Sequence, residues 1–406
     1  MNKRNAPTRF DRRFHLNKVE YSEHSLERGL SEGVITREDA ALITEFVTEI
    51  KSTRGVSDGR VNKLTSALVT WRRHLPLPYR ENTIGDIFQA VTRLNSTIYR
   101  GRPYRQNTRH DFIKFLKRFY LWLIENSYSD VPAVKINKIR PPPVDVMTKT
   151  ASQLLTEQEI LAMINACMTS RDRAIISCLY EGGFRIQELA TLTWSQVKFD
   201  DWGIMVNIDD KKTNQHRYIR LIMSREYLSA WRKDYPFKSE GESLVFHTSR
   251  YQPLQYGGIS KQLREIAQRA GIVKHITPHI FRTSRITHLI RQGYSESIIK
   301  LMMWGNITTD MFKTYAYLTN EDIDNEVLER QGIKRNVSKS EPVMVPLQCS
   351  RCQTINSPAS HYCCTCGRPL DASTLSTQEE LMRFIDSHPE LVEMCQRGAT
   401  TRAVSV

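Results

Sequence analysis

No uninterrupted apolar run in this 406-residue chain is long enough to span a bilayer. The N-terminus, M-N-K-R-N-A-P-T-R-F-D-R-R-F, is basic but lacks the apolar segment of a secretory signal. There is no internal repeat, and low complexity is confined to a run of three prolines. A soluble, intracellular, cytoplasmic protein is therefore expected. Acidic residues are also short: 44 against 58 Lys and Arg, a net charge of +14. That balance favours a polyanionic partner, nucleic acid before a membrane surface. The 8 cysteines do not form a secreted disulfide framework, because four stand as two C-x-x-C pairs near the C-terminus while Cys167, Cys178 and Cys395 are scattered. Disorder is excluded by a hydrophobic content of 40%, and the length allows two or three domains.

Residues 1–20 read as a flexible basic arm. Apolar spacing then predicts four helices in a domain spanning 21–136. The first opens on T-R-E-D at Thr36, a capping box with Asp in the usual Glu/Gln place, and carries Leu42, Ile43, Phe46, Val47 and Ile50 as far as Gly55. The second turns Val61, Leu64, Leu68 and Trp71 inward, and the third Ile87, Phe88, Val91 and Leu94. The fourth buries Phe112, Phe115, Leu116, Phe119 and Leu123, with His110, Lys114 and Lys117 roughly opposite. That charged face is either solvated or contacts phosphate. A Pro-rich stretch without helical period, V-P-A-V-K-I-N-K-I-R-P-P-P-V-D, reads as a linker, bounded at 137–152.

A second domain, 153–334, opens on the capping box Thr156-Glu157-Gln158-Glu159, with Leu155 and Ile160 as its hydrophobic staple. Gly182-Gly183 breaks the chain just before Arg185. V-K-F, I-M-V-N-I and Y-I-R-L-I read as short strands, the last two joined through the polar tip D-D-K-K-T-N-Q-H. Thr277-Pro278 then starts a helix, with Thr as side-chain cap and Pro at the first helical position. His279 and Arg282, three residues apart, share a face of it. Gly293 ends that helix, Ser295 can cap the next, and a third short element delivers Tyr315. A histidine, an arginine and a tyrosine brought together in a basic protein point to chemistry on a phosphodiester.

These segments resemble the tyrosine recombinase family. E-G-G-F-R-I-Q-E-L-A-T-L is similar to the arginine-bearing segment T-G-L-R-x-x-E-L-x-x-L, and K-K-T-N-Q-H-R-Y-I-R-L to the lysine-bearing hairpin. T-P-H-I-F-R-T-S-R-I-T-H-L-I is similar to T-P-H-x-L-R-H-x-x-A-T-H-L-L, and T-T-D-M-F-K-T-Y-A-Y-L to the segment holding the nucleophile. The four come in order over 155–330, with a helical region upstream that resembles a core-binding domain, and the overall likeness is to the archaeal integrase branch of the lambda-type and Xer-type enzymes. The resemblance implies a mainly α fold with a small antiparallel β-sheet (α+β): a four-helix SAM-like domain and a catalytic domain, to which the cysteine pairs add a small zinc ribbon. It implies a site-specific recombinase or integrase, in an archaeal provirus setting, working as a homo-tetramer on two double-stranded DNA sites and as a monomer when free. A non-catalytic DNA-binding regulator and a type IB topoisomerase are the alternatives.

The chemistry suits the residues. Metal-free cleavage of DNA needs a nucleophile, cations for the charge that develops on the phosphoryl oxygens, and an acid for the leaving 5′ oxygen. Tyr315 can attack and hold a 3′-phosphotyrosyl link, which conserves bond energy so that religation needs no ATP. Arg185 and Arg282 offer planar forked donors for two phosphate oxygens. His279 can bond the same phosphate or help move the tyrosine proton. By resemblance the hairpin lysine is the general acid: Lys212 is preferred, with Lys211 open, as Tyr317 is beside Tyr315. Arg185 could instead pair with Glu188, and His279 could simply pack at the helix start. His216 and His288 read as structural. One departure stands out: the family commonly has L-G-H-S before the tyrosine, and here M-W-G-N puts Asn306 in the His or Trp slot with Trp304 two residues earlier.

The cysteine pairs form C-x2-C-x10-C-x2-C within 345–372. Cys349, Cys352, Cys363 and Cys366 are expected to hold one structural zinc, with Cys364 a spectator. No cofactor is expected in the chemistry itself. Residues 373–406 read as an amphipathic helix and tail, with Leu381, Phe384 and Ile385 on one face.

Overall fold

The computed structural model describes residues 6–8, 14, 20–145, 150–210, 215–314 and 344–371, with scattered positions between 327 and 331 and between 374 and 385. Lys211, Lys212, Tyr315, Tyr317, Ile323, Leu381, Phe384 and Cys395 lie outside the described residues. The chain divides into two compact units: Leu16–Thr148, and Met1–His15 together with Lys149–Val406.

The first unit begins with a helix that the apolar pattern does not announce, α1 (Glu20–Ser31). Its buried residues are Ser22 and Gly29, and a Cβ on Gly29 would lie 2.9 Å from Val69 Cγ1. A helix that packs through a glycine leaves no apolar stripe to detect. In α2 (Arg37–Arg54), Thr36 Oγ1 accepts from Asp39 N at 3.0 Å, and Asp39 Oδ2 accepts from Thr36 N at 3.1 Å. The shorter Asp also serves the core, accepting from Arg72 Nε at 2.8 Å and Tyr79 N at 2.9 Å. Next come α3 (Asp58–Trp71) and α4 (Ile84–Ser96). The buried face of α4 is Ile87, Ala90 and Leu94; Phe88, expected inside, is 43% exposed, because it sits about 100° from Ile87 on the far edge of that stripe. A short hairpin follows, β1 (Ile98–Tyr99) and β2 (Arg102–Pro103).

Helix α5 (Gln106–Glu125) buries Phe115, Leu116, Phe119 and Leu123, each worth about 1.5–3 kcal/mol when fully removed from water. Its polar face is partly covered by backbone carbonyls. His110 Nδ1 lies 2.7 Å from Pro142 O, and Lys117 Nζ donates to Asn137 O at 2.7 Å. The chain read as linker supplies these partners, through α6 (Ala133–Lys138) and the extended residues after it, with Ile136 buried. Among the three charged positions Lys114 stays exposed.

In the second unit, α7 (Glu157–Asn165) opens on the expected capping box, with Leu155 and Ile160 both buried. Helix α8 (Ser170–Glu181) leads into α9 (Ile186–Ala190) and a three-stranded antiparallel sheet, β3 (Val197–Asp200), β4 (Gly203–Asp210) and β5 (Gln215–Leu221), in the order β3-β4-β5. Ile204, Val206, Ile208, Ile219 and Leu221 make its buried face. Glu181 accepts from the backbone N–H groups of Ile222, Met223 and Ser224 at 2.7, 2.9 and 2.8 Å, closing the start of α10 (Ser224–Asp234). Three more helices follow: α11 (Tyr256–Arg269), α12 (Pro278–Arg291) and α13 (Glu296–Trp304).

Pro278 takes the first helical position of α12 as expected, but the Thr277 side chain makes no capping hydrogen bond. Proline lacks an N–H and fixes the entry dihedral, so the start is set without one. Ser295 does cap α13. Part of the arm is also built in rather than free: Pro7 O accepts from Leu244 N at 2.9 Å, and Phe14 is buried in the core of this unit. No helix among the described residues is long and apolar enough to cross a membrane.

Candidate active site

The site forms where α8 stops. Gly182 ends the helix and Gly183 turns the chain at φ 54°, a conformation that favours glycine. A Cβ on Gly183 would fall 2.6 Å from Met303 Sδ, so the last turn of α13 can press on this turn only because the side chain is absent. The carbonyl of Gly183 accepts from Arg282 Nη1 at 2.6 Å, and the carbonyl of Met303 from Arg282 Nη2 at 2.5 Å. The guanidinium carbon lies 5.1 Å from the Trp304 ring centre. Arg282 is 1% exposed. Carbonyl oxygens and an aromatic face hold its orientation.

Arg185 stands at the N-cap of α9 with its side chain 38% exposed. Its backbone N–H donates to Glu188 Oε2 at 2.7 Å, and Nη1 donates to Glu188 Oε1 at 2.6 Å. The pairing with Glu188 is therefore present; it orients a guanidinium that still reaches solvent. Glu188 is shared, because Arg217 Nη2 donates to Oε2 as well. Arg217 also donates through Nη1 to Met303 O at 2.9 Å and is 3% exposed. Sequence reading missed Arg217. The signal was its phase: it alternates with Ile219 and Leu221 on the buried face of β5, where an ion has no place without fixed partners.

Met303 O thus collects two guanidinium groups, and through them the segment of Arg185, strand β5 and helix α12 meet at the end of α13. Gly305 closes α13 at φ 70°, and a Cβ there would lie 2.7 Å from His216 O. His279 is exposed in the first turn of α12, one turn before Arg282. Asn306 does not present its whole amide outward: Oδ1 accepts from Thr308 N at 2.8 Å and Thr308 Oγ1 at 2.7 Å, so the side chain starts the turn after α13. That turn leads into the 3-10 element Asp310–Thr314. In sequence, Tyr315 follows it directly and Lys212 falls between β4 and β5; both lie outside the described residues. His288 faces away from this cluster, with Nδ1 2.8 Å from Tyr180 Oη, and burial pushes its pKa down to about 4.

The Sγ atoms of Cys349, Cys352, Cys363 and Cys366 all lie within 4.8 Å of one another. Cys349 and Cys366 are 3.6 Å apart and Cys352 and Cys363 3.5 Å, near the roughly 3.8 Å edge of a tetrahedron with metal–sulfur bonds of about 2.3 Å. Two matching turns present them: Gln353 N donates to Cys349 O and Gly367 N to Cys363 O, both at 2.9 Å. Gln353 adopts φ 58° where the second turn has Gly367 at 69°. Strands β6 (Leu347–Gln348) and β7 (Ile355–Asn356) pair beside the first turn. The four cysteines could hold a metal ion, and Cys364 is exposed.

An arginine at a helix start, a three-stranded sheet with a long hairpin, and a T-P-H-x-x-R helix followed by a tyrosine segment define a class. Residues 153–321 match the phage integrase family. The relatives this domain resembles include proteins named tyrosine recombinases. It is 30% identical over 205 residues to transposase A from transposon Tn554 of Staphylococcus aureus, covering 46% of this chain and 55% of that one. The chain thus spans about half the length of the curated transposases it matches. It is 24% identical over 307 residues to tyrosine recombinase XerC of Listeria welshimeri, covering 72% of this chain and 98% of that one. In fold it is similar to a lambda integrase fragment solved bound to DNA, with a TM-score of 0.54 and 14% identity, covering 70% of this chain and 98% of that one.

Proposed function

We propose that the chain is a site-specific DNA recombinase that cleaves and rejoins duplex DNA through a 3′-phosphotyrosyl intermediate, without ATP or a catalytic metal. The observation that carries the reading is the held pair Arg185 and Arg282, joined through Glu188, Arg217 and the Met303 carbonyl. Two oriented guanidinium groups suit the two non-bridging oxygens of one phosphodiester. Tyr315 Oη attacks phosphorus, the bond to the 5′ oxygen breaks, and Lys212 gives that oxygen its proton. His279 bonds the phosphate or takes the tyrosine proton. Religation reverses the step, with a 5′ hydroxyl attacking the phosphotyrosine. The transposase A and XerC likenesses support the chemistry, and the first unit is read as the core-binding domain.

The same proposal covers a homo-tetramer on two DNA sites, a structural zinc on the four cysteines and an archaeal provirus as the host element. A tRNA-type repeat in the DNA flanking the gene would support an integrase. The decisive test of chemistry is a duplex nicked just 3′ of the attacked phosphate, which traps the covalent intermediate. The wild type is expected to become attached to DNA and Tyr315→Phe is not. Trapping by Tyr315→Phe removes the assigned nucleophile, and no trapping by either on any site favours the regulator reading. Relaxation of plasmids lacking a specific site would favour the topoisomerase reading.

A further inference from the structure

The hairpin between α4 and α5 has no part in the proposed chemistry, yet its composition is unusual. Residues 87–110 contain five arginines, Arg93, Arg100, Arg102, Arg105 and Arg109, and no Lys, Asp or Glu. None of the five pairs with a carboxylate among the described residues. The pKa of His74 is lowered by burial first and then by Arg93 and Arg73, so a positive field is felt at this surface.

Register pairs Ile98 with Pro103 and Tyr99 with Arg102, leaving Arg100 and Gly101 as a two-residue loop. Their φ angles are 51° and 77°, the arrangement of a type I′ turn. Glycine is at ease there; arginine is not, and Asn or Asp is the usual choice at its position. An arginine kept in a strained conformation at an exposed tip suggests a use for its side chain. The tip is also pre-aimed. The Arg100 guanidinium lies 5.3 Å from the Tyr99 ring, Tyr99 stacks on Tyr104 at 5.5 Å and 14°, and Tyr104 packs on Phe112 at 5.4 Å. Arg100, Arg102 and Arg105 are exposed.

We propose that this hairpin is a minor-groove DNA contact, in which Arg100 and Arg102 enter a narrow A·T-rich groove and Gly101 lets the backbone approach between the phosphate strands. The inference rests on the reading that the chain binds duplex DNA. Strands of two residues each are too short to read a row of base edges in the major groove, and Arg-Gly-Arg offers no amide for adenine there. Narrow A·T grooves concentrate negative potential, and a guanidinium loses its hydration more readily than an ammonium.

The test uses the full chain and three otherwise identical duplexes: A·T-rich, G·C-rich, and the G·C-rich one with inosine for guanosine. Inosine removes only the minor-groove amino group. Wild type is expected to bind the A·T and inosine duplexes alike and the G·C duplex roughly 10-fold more weakly. Arg100→Ala with Arg102→Ala should abolish that preference and flatten the log–log salt dependence by about 1.8, near 0.9 per lost cation. Arg100→Lys with Arg102→Lys should keep the slope and lose most of the preference. Covalent trapping at saturating DNA should not change in either variant. If inosine behaves like guanosine, or the alanine variant keeps both slope and preference, the minor-groove assignment is overturned. The second outcome would turn attention to an acidic protein partner. A wild type that binds no duplex overturns the DNA reading itself.

Discussion

At the scale of single residues, the site turns on one carbonyl. Met303 O lies at the C-terminal end of α13, where helix carbonyls lack intrahelical partners and the dipole is negative, and Arg217 and Arg282 both donate to it. Arg217 adds a bond to Glu188, which in turn orients Arg185. Under the proposed function Arg217 is a positioning residue, because it touches Met303 O and Glu188, which hold Arg282 and Arg185. Arg217→Met should slow covalent trapping by about 10- to 100-fold while DNA affinity stays nearly constant. Arg217→Lys should restore part of the rate, which a purely structural loss would not show. Because a buried partner is removed, a stability loss of about 3–5 kcal/mol is expected from denaturant titration, and rates belong under conditions where the variant is folded. Arg185, His279 and Arg282 were legible as residue types at fixed spacing. The sharing of Met303 O was not, since it joins residues 86 and 21 positions apart.

At the scale of elements, α12 has to present Arg282 on one side and pack on the other. The packed side carries His288 against Tyr180, which donates or accepts across 2.8 Å. Burial holds His288 neutral, with a folded-state pKa near 4 against an ordinary value of 6.5. The unfolded chain therefore binds more protons between those two values, so stability falls as pH drops from about 6.5 to about 4 and is unaffected above. The loss amounts to about 3.5 kcal/mol at most, the difference between 6.5 and 4 at about 1.4 kcal/mol per pH unit. Urea midpoints measured from pH 7 to pH 4.5 should show this slope in the wild type and a flatter one in His288→Gln. Elements with clean apolar periods, such as α2, α5 and α7, were readable from the sequence. Helix α1 was not, because its contact is a glycine, nor was α6, whose six residues are too few to show a period.

At the scale of the whole molecule, the cysteine module is joined to the rest of the second unit by Glu226 on α10, which accepts from Ser357 N at 2.8 Å and Ser360 Oγ at 2.6 Å. Both serines lie between the two cysteine pairs, so holding the four thiolates also holds the docking loop. So short a segment buries little core, and a bound metal would supply most of its folding free energy. Elemental analysis of the purified chain should find one zinc per chain, and Cys352→Ser with Cys363→Ser should remove it. A chelator should unfold the module while covalent trapping by the catalytic unit persists. Loss of trapping with the module still folded would argue for a metal in the active site.

The sequence by itself determined the order of the candidate groups: arginine, hairpin lysine, T-P-H-x-x-R, tyrosine, then paired cysteines at ligand spacing. Those are local signals, carried by residue type and short separation. Tertiary structure alone decided which groups hold them. Carbonyls at the end of α13 orient two arginines, Glu188 bridges Arg185 to Arg217, Asn306 is spent on a turn, and the residues after α5 cover its polar face. Apart from the local Asn306 turn, each of these depends on a contact across tens of residues, where close packing and the need to pair buried polar groups choose the partner.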